Sequence, residues 1–316
     1  MKAVVNRRIF LGGAIAVAVV PTAIAAQTPF ALHLTGTGAD DIASVLYAQK
    51  AGLFGAAGLV VDYERANSGA AGVAAVVSGA KDVGKSSLGS LIAARVHNVD
   101  LKIVAGGALF RSTNLRAEVQ LIVASDSPLR SGKDFNGKTI SVPALGDQNV
   151  MAARAWVDQQ GGDSRTLQFV EVPSAAAADA VAQGRVAAAV LVPPFAARAI
   201  ADGKMRSVAT PFTAIAPRFL ETAWFTTAAY ADAHRDQLGR FVNVIAAASG
   251  YVDNHNAELA DTVAQFTGQT VQSITADGIS FLATSAGPAD VQPLIDAMAK
   301  YGLIDHRFDA ADFFTK

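Results

Sequence analysis

Two distant stretches of the chain share one pattern, in which a β-strand passes through a short turn into a helix. The first is Tyr63–Ala71 and the second is Lys138–Asp147. Free backbone amides at the start of a helix attract anions and the polar groups of ligands. A chain with two such junctions is therefore expected to bring both helix starts to one small molecule.

Strands and helices alternate on either side of these junctions, and the alternation restarts near residue 119. This order predicts an α/β fold with two lobes, each a mostly parallel sheet flanked by helices, with a ligand cleft between them. From Tyr230 onward the pattern is helical. Since no linker separates the two units, the second is expected to be inserted into the first. The predicted divisions are a signal peptide at 1–26, a first lobe at 27–113 and 221–316, and a second lobe at 114–220.

Composition excludes several classes of function. The 316 residues are 51% hydrophobic, which is enough for a sizeable core, and the net charge of −1 comes without a basic block, so nucleic acid is not an expected partner. There is no cysteine, which excludes thiolate catalysis and disulfides. The five histidines have no metal-ligand spacing, so neither a metal nor a cofactor is expected.

The N-terminus resembles an export signal. Lys2, Arg7 and Arg8 precede a short apolar run, and Ala23–Ala25 has the small residues of a cleavage site. The segment Asn6–Leu11 is similar to a twin-arginine signal, although the general export route stays open. Cleavage is expected near Ala25 or Ala26, with the mature protein in the bacterial periplasm.

Several motifs, in collinear order, resemble one family. In the first unit they are Tyr47–Phe54, Gly58–Tyr63, Ser68–Ala71 and Ala80–Gly84. They are similar to the substrate-binding proteins of ABC importers, in the branch that includes nitrate, sulfonate, taurine and thiamine-precursor binders. The resemblance covers nearly the whole mature chain and does not specify the ligand.

The second unit carries two further motifs of that family. Asp134–Pro143 is similar to its DLKGKTVGVP element, and Val192–Ala196 is similar to its WEPF turn. Lys85 departs from the pattern, because the family usually has an apolar strand residue there, and so do Val192 and Pro193, which replace the Trp and the acidic residue of the turn.

The resemblance implies a two-lobe periplasmic binding fold that closes on its ligand and docks on a membrane permease. It also implies that ligand contacts lie in the loops that follow corresponding strands. In this chain those loops contain Thr35, Gly36, Thr37, Asn67, Ser68, Gly69, Ser86, Ser87, Pro143, Ala144, Leu145, Gly146, Pro194 and Phe195.

The polar turns have two interpretations. Asn67–Gly69 and Ser86–Ser87 suit a small anion, and they equally suit helix caps and turns, which need no ligand. We expect the first junction to hold the ligand's charged head. The second, Val142–Gly146, offers backbone and apolar surface and is expected to close over the ligand.

Large and basic side chains provide further candidates. Trp224 and Phe195 are candidate pocket walls, with core packing as the alternative. Arg111, Arg116 and Lys85 are candidate partners for a carboxylate or sulfonate, with surface positions as the alternative, and Arg116 is the preferred one because it lies near the expected lobe crossover.

Two patterns that suggest enzymes are set aside. Gly79–Ser86 matches the phosphate-loop pattern, but the preceding segment is predicted as a helix and not the required strand. Asp40 and Asp41 are adjacent at a helix start, which favours capping over acid–base chemistry.

The resulting hypothesis is a monomeric, non-enzymatic solute-binding component of an ABC importer. It binds a small anionic or polar organic solute reversibly, of the sulfonate, nitrate, taurine or organic-acid class, and delivers it to a permease at the inner membrane. The alternative is an exported enzyme on the same fold that acts on a sulfur- or pyrimidine-containing compound.

Overall fold

A computed structural model describes residues 1, 28–113, 115, 117–193 and 195–314. Apart from Met1, the predicted signal peptide lies outside the described residues, as do Arg116 and Pro194. In the part of the chain that is described, no helix has both the length and the apolar character needed to cross a membrane.

Strands and helices alternate through most of the described chain. The strands are β1 (Phe30–Gly36), β2 (Leu59–Arg65), β3 (Val83–Ser87), β4 (Leu101–Gly106), β5 (Leu109–Arg111), β6 (Gln120–Ala124), β7 (Thr139–Val142), β8 (Gln168–Glu171), β9 (Ala188–Leu191), β10 (Met205–Ala209), β11 (Arg218–Leu220) and β12 (Thr222–Thr227). The helices are α1 (Ala43–Lys50), α2 (Leu53–Ala56), α3 (Gly69–Val77), α4 (Leu88–Val96), α5 (Gln148–Gln159), α6 (Ser174–Ala182), α7 (Phe195–Ala201), α8 (Ala228–Ala233), α9 (Arg235–Asn254), α10 (Asn256–Thr267), α11 (Val271–Asp277) and α12 (Pro288–Lys300).

The first sheet has the strand order β2-β1-β3-β12-β4. Strand β1 pairs in parallel with β2 and β3, whereas β12 is antiparallel to both of its neighbours. Leu32 and Leu34 of β1 are fully buried in a core with Phe54, Trp224 and Phe241. This core forms because alternate residues of the strand point to one face, where helices α1 and α9 pack.

The second sheet has the order β10-β6-β9-β7-β8. Here β7 is parallel to β8 and β9, and β6 is antiparallel to β10 and β9. Each sheet therefore contains four strands in one direction and one reversed strand. In both sheets the reversed strand is the first one that the chain forms after it arrives from the other sheet. The expected α/β fold with mostly parallel sheets and flanking helices is confirmed.

The chain crosses between the sheets twice, and the crossovers are held together by a two-stranded ribbon. Strand β11 pairs antiparallel with β5, with Phe219 opposite Phe110. The first sheet takes its strands from residues 30–106 and 222–227, and the second takes its strands from 120–209. We call the first sheet with α1–α4 and α8–α11 the first lobe, and the second sheet with α5–α7 the second lobe.

Three strands, β5, β11 and β12, were not expected from the sequence, and β12 is the longest of them. Residues Thr222–Thr227 form β12 between β3 and β4, and Ala223, Trp224 and Phe225 are fully buried there. A short strand covered on both faces has no alternation of apolar and polar residues, and its partners lie more than 100 positions earlier in the sequence. The helical character of the chain after Tyr230 was predicted, and the structure shows it in α8–α12.

Candidate functional site between the two lobes

The start of helix α3 contributes the first part of the site. Ser68 caps the helix, and its Oγ accepts a hydrogen bond of 3.1 Å from the amide of Ala71. Asn67 and Ser68 are exposed. Gly69 faces strand β3, because a Cβ atom at this position would lie 2.5 Å from Ser86 Oγ. The capping interpretation thus describes what Ser68 does, and Gly69 permits the close approach of β3.

The end of β3 brings two serines to this helix start. Ser86 is 2% exposed, and its Oγ has no hydrogen-bond partner among the described residues. Ser87 caps α4, where its Oγ accepts from the amide of Ser90 at 3.2 Å and lies 2.9 Å from Ser90 Oγ. Because Ser86 lies in β3, the phosphate-loop pattern at Gly79–Ser86 ends within a strand and not in a loop.

The start of helix α5 provides the opposite side. Asp147 caps this helix, accepting from the amide of Gln148 at 2.7 Å and from Asn149 Nδ2 at 3.2 Å. The carboxyl of Asp147 has a raised pKa, because burial disfavours its charged form more than these hydrogen bonds favour it. Asn149 is 3% exposed, and its Oδ1 has no partner among the described residues.

Hydrogen bonds join the two helix starts across the lobes. Ser87 Oγ donates to Asp147 Oδ1 at 3.4 Å, and the amide of Gly89 donates to Gln148 Oε1 at 3.3 Å. Gln148 Nε2 also donates to the carbonyl of Glu221 at 3.4 Å, where the chain re-enters the first lobe. The two junctions that the sequence singled out do meet. We call Ser86, Ser87, Asp147 and Asn149 the cleft cluster.

A second group of polar side chains lies deeper in the first lobe. Lys85 forms a buried ion pair with Asp41, and their side chains are 1% and 2% exposed. Thr222 Oγ1 donates to Asp41 Oδ2 at 2.6 Å and accepts from the amide of Ala108 at 2.7 Å. Asp40 accepts from the amide and the hydroxyl of Ser280, at 2.7 Å and 3.0 Å. We call Asp40, Asp41, Lys85, Thr222 and Ser280 the inner cluster.

This arrangement changes the interpretation of three charged residues. Lys85 was a candidate ligand partner, and the structure corrects this, because its ammonium group is buried against Asp41. Burial lowers the pKa of Lys85 to about 7. Burial also raises the pKa of Asp40, although the hydrogen bonds from Ser280 oppose that rise. Asp40 and Asp41 were expected to cap a helix, but no side-chain cap is found at this helical turn.

Two further carboxyl groups lie next to the inner cluster. Glu118 is 7% exposed and precedes β6, and Glu221 precedes β12. The pKa of Glu221 is raised well above its usual value by burial and by the negative charges of Glu118 and Asp40. Both glutamates thus lie at the crossovers between the lobes, and neither was among the residues predicted from the sequence.

The predicted residues of the first loop hold the ends of β1 and β2 together. Thr35 Oγ1 donates to the carbonyl of Glu64 at 3.0 Å, and the carbonyl of Thr37 accepts from the hydroxyl of Tyr63 at 2.8 Å. A Cβ atom on Gly36 would lie 2.9 Å from the carbonyl of Lys85, so this glycine allows β1 to approach β3. These contacts place the loop beside the end of β3.

In the second junction, the predicted ligand residues Ala144–Gly146 come just before Asp147, which makes the contacts with the first lobe. Ala144 is partly buried, whereas Leu145 is 48% exposed and Gly146 is also exposed. The next residue, Asp147, reaches the first lobe. The sequence signal that could have identified it is the position of an acidic residue immediately before a predicted helix. The lid role of Ala144–Gly146 stays a prediction.

The aromatic candidates lie in other places. Trp224 is fully buried in the core of the first lobe, with its ring 5.6 Å from that of Phe241 and 6.4 Å from that of Tyr63. The structure therefore corrects its assignment as a pocket wall. Phe195 begins α7 and packs against the apolar core of the second lobe, and its ligand role stays a prediction. Arg116 and Pro194 lie outside the described residues.

Other features of the described chain lie apart from this site. Arg111 stacks over the ring of Phe281 at 4.6 Å and lies 3.7 Å from Asp253. A surface groove of about 470 Å³ runs between α5 and α12 and is lined by residues such as Gln292 and Tyr301. Among the described residues, no group of three or more His, Asp or Glu side chains is arranged to hold a metal ion.

Known structures share this architecture. The aliphatic sulphonate-binding protein SsuA from Escherichia coli superposes with a TM-score of 0.75 at 16% identity, over 91% of this chain and 92% of that chain. The alkanesulfonate-binding protein SsuA from Xanthomonas axonopodis, bound to MOPS, gives 0.74 at 18% identity, over 91% and 98%. The nitrate-binding protein NrtA from Synechocystis PCC 6803 gives 0.69 at 14% identity, over 87% and 82%.

These superpositions establish the fold, but sequence identities of 14–18% do not identify the ligand. No curated protein matches the sequence significantly. Residues 39–259, which are more than half of the chain and include both helix starts of the site, match the sequence profile of the family described as NMT1/THI5 like. This protein belongs to the NMT1/THI5-like family and has the two-lobe fold of the periplasmic binding proteins.

Proposed function

We propose that this protein is the solute-binding component of an ABC importer, which acts by reversible closure of its two lobes around a small polar molecule. The observation that carries the proposal is the set of hydrogen bonds between the lobes at the starts of α4 and α5, from Ser87 to Asp147 and from Gly89 to Gln148. Family membership and the fold shared with sulfonate- and nitrate-binding proteins support it.

In this mechanism the protein captures its ligand when the two lobes close. At the starts of α4 and α5 the lobes meet through hydrogen bonds, which opening exchanges for hydrogen bonds to water at little net cost, while an apolar cluster that includes Leu91 and Met151 joins the lobes elsewhere. A ligand that contacts both helix starts adds interactions that exist only when the lobes are together, and it thereby shifts the population toward the closed form. Ser86 and Asn149 would supply the ligand contacts, since each has a buried polar atom with no partner among the described residues.

Delivery follows from closure in this proposal. The closed protein presents both lobes side by side, which is the form that a membrane permease would engage. The export signal expected at residues 1–26 supports a periplasmic location for a monomeric carrier. The sequence hypothesis of an anionic or polar solute, such as a sulfonate, nitrate, taurine or an organic acid, is untested by these comparisons.

Native mass spectrometry of the gently purified mature protein tests the proposal. We expect a small molecule to be retained in a one-to-one complex and released unchanged on denaturation. Gly69→Leu should abolish retention, because a Cβ atom there would lie 2.5 Å from Ser86 Oγ and the side chain would displace Ser86. The matched control is Gly239→Leu in α9, where a Cβ atom meets nothing within 4 Å.

Two outcomes would overturn the proposal. One is conversion of the retained molecule into a product, which would favour the alternative of an exported enzyme. The other is full retention by Gly69→Leu in a protein whose circular dichroism matches that of the wild type, which would place the ligand elsewhere.

A further inference from the structure

The side chain of Gln148 connects three parts of the molecule. It is 5% exposed and lies in the first turn of α5, on the second lobe. Its Oε1 accepts from the amide of Gly89 on α4 at 3.3 Å, and its Nε2 donates to the carbonyl of Glu221 at 3.4 Å, at the end of the second crossover. One side-chain amide thus joins α5 to the first lobe and to the crossover, and the bond to Gly89 breaks when α5 moves away from α4.

The absence of a side chain at Gly89 lets α5 come this close. Gly89 is buried in the first turn of α4, and a Cβ atom on it would lie 2.9 Å from Asp147 Oδ1 and 3.1 Å from the amide nitrogen of Gln148. The nearest atoms that this Cβ would meet all belong to the start of α5. A side chain at this position would therefore clash with the second lobe when the lobes are together, and opening would relieve the clash.

The start of α4 is satisfied by protein atoms alone in this closed form. The first amides of a helix have no acceptor within the helix itself. Here each of the first three has one elsewhere in the protein: the Glu221 carbonyl for Leu88 at 2.8 Å, Gln148 Oε1 for Gly89 at 3.3 Å and Ser87 Oγ for Ser90 at 3.2 Å. Closure at this edge of the cleft therefore does not require a ligand.

Loss of the Gln148 amide would penalise the closed form. The amide of Gly89 would then be buried against α5 without an acceptor, whereas water could accept from it in the open form. The apolar cluster that includes Leu91 and Met151 involves the next turn of each helix, and a change at Gln148 leaves it in place. The polar contact can therefore be tested separately from the apolar one.

We propose that Gln148 is a latch, a positioning residue that holds the two lobes together in the ligand-free protein by bridging Gly89 and the second crossover. The inference rests on the solute-binding role proposed above and adds that the closed form is populated before a ligand arrives. The affinity for the ligand then depends on the closed fraction, which the latch sets.

Distances between the lobes test the latch. The chain has no cysteine, so Ala74→Cys on α3 and Ala176→Cys on α6 place one spin label at an exposed helical position of each lobe. Double electron–electron resonance on the ligand-free mature protein then measures the closed and open fractions. We expect a closed population in the wild type. Gln148→Met keeps the size of the side chain but can make neither bond, and should lower the ratio of closed to open molecules about tenfold.

A second variant breaks the same contact by another route. Gly89→Ala should favour the helix, because alanine is the better helix former, and should still shift the distances toward the open form because its Cβ meets α5. The matched controls are Gln159→Met at the exposed end of α5 and Gly239→Ala in α9, where a Cβ atom meets nothing within 4 Å. Both controls should keep the wild-type distances, and circular dichroism should be unchanged in all four variants.

The inference is overturned if Gln148→Met keeps the wild-type distance distribution, or if the ligand-free wild type shows the open form alone. Native mass spectrometry separates this inference from the role on which it rests. A latch that responds to Gln148→Met in a protein that retains no solute would stand while the solute-binding role fails. Retention of a solute together with an unchanged distribution in Gln148→Met would do the reverse.

Discussion

The inner cluster and the cleft cluster begin at neighbouring residues of one strand, yet they differ in how completely their polar groups are paired. Lys85 points to one face of β3 and pairs with Asp41, and Ser86 points to the other face toward Gly69. The hydrogen-bond partners of the inner cluster come from the same lobe. In the cleft cluster, Ser86 Oγ and Asn149 Oδ1 have none among the described residues.

This difference separates polar groups that hold the fold from polar groups that suit a ligand. A buried polar atom without a partner costs about 1–3 kcal/mol, so a protein tolerates it where something else offsets the cost. A buried ion pair loses stability sharply when only one of its members is removed. Mutations in the inner cluster should therefore affect folding, and mutations in the cleft cluster should affect binding.

The largest effect is expected for Lys85→Met. The substitution leaves the carboxylate of Asp41 buried with Thr222 as its one remaining hydrogen-bond partner among the described residues, and should lower the free energy of unfolding by about 3–5 kcal/mol. Urea unfolding measures it. Lys81→Met is the matched control, since Lys81 pairs with Glu64, whose side chain is 71% exposed, and such a pair contributes about 0–1 kcal/mol. A similar loss in both variants would remove the distinction between buried and surface pairs.

The effect of pH on the stability of the ligand-free protein is expected to be intermediate in size. Burial raises the pKa values of Asp40, Asp147 and Glu221, so the folded state binds more protons than the unfolded state once the pH exceeds the unfolded values near 4. This contribution to stability is complete below those values and is lost as the pH rises through the folded pKa values. The ligand-free protein should therefore become more stable between pH 7.5 and about 5.5.

Lys85 does not reverse this trend. Its pKa in the folded state is about 7, compared with 10.5 for an ordinary lysine, so its charging penalty builds up as the pH falls from 10.5 to 7 and is nearly constant below that. Urea midpoints across the range measure the slope, and Glu221→Gln should flatten it. A midpoint that falls steadily on acidification would show that these carboxyl groups are ionised without penalty.

The smallest loss of stability is expected for Ser86→Ala. Because Ser86 Oγ has no partner among the described residues, the substitution breaks no hydrogen bond there, and the free energy of unfolding of the ligand-free protein should not fall, while ligand retention falls. Thr222→Val is the comparison within the inner cluster. It removes the bonds to Asp41 and to the amide of Ala108, and should cost about 1–3 kcal/mol. Equal losses would mean that Ser86 has a structural role.

The candidate site could be predicted in part. Gly69, Ser86 and Ser87 do lie together, because the ends of neighbouring strands and the helix starts that follow them meet at one edge of a sheet. Asp147 was missed by one position, since its loop was interpreted as apolar. Trp224 was assigned to the pocket wall because aromatic residues are scarce in this chain. The residues around it do not alternate between apolar and polar, so the sequence could not show that its side chain faces the core.

The sequence alone determined the fold class, the helical C-terminal part and the two strand–turn–helix junctions, since these depend on local periodicity and on turn residues. Only the tertiary structure decided the electrostatics of the cleft. Asp41 and Lys85 are 44 positions apart, and Asp40 and Ser280 are 240 apart. Strand β12 inserts between β3 and β4 and places Thr222 and Glu221 beside them. Burial and pairing depend on distance in space, so no local pattern could show that Lys85 is paired with Asp41 and withdrawn from the cleft.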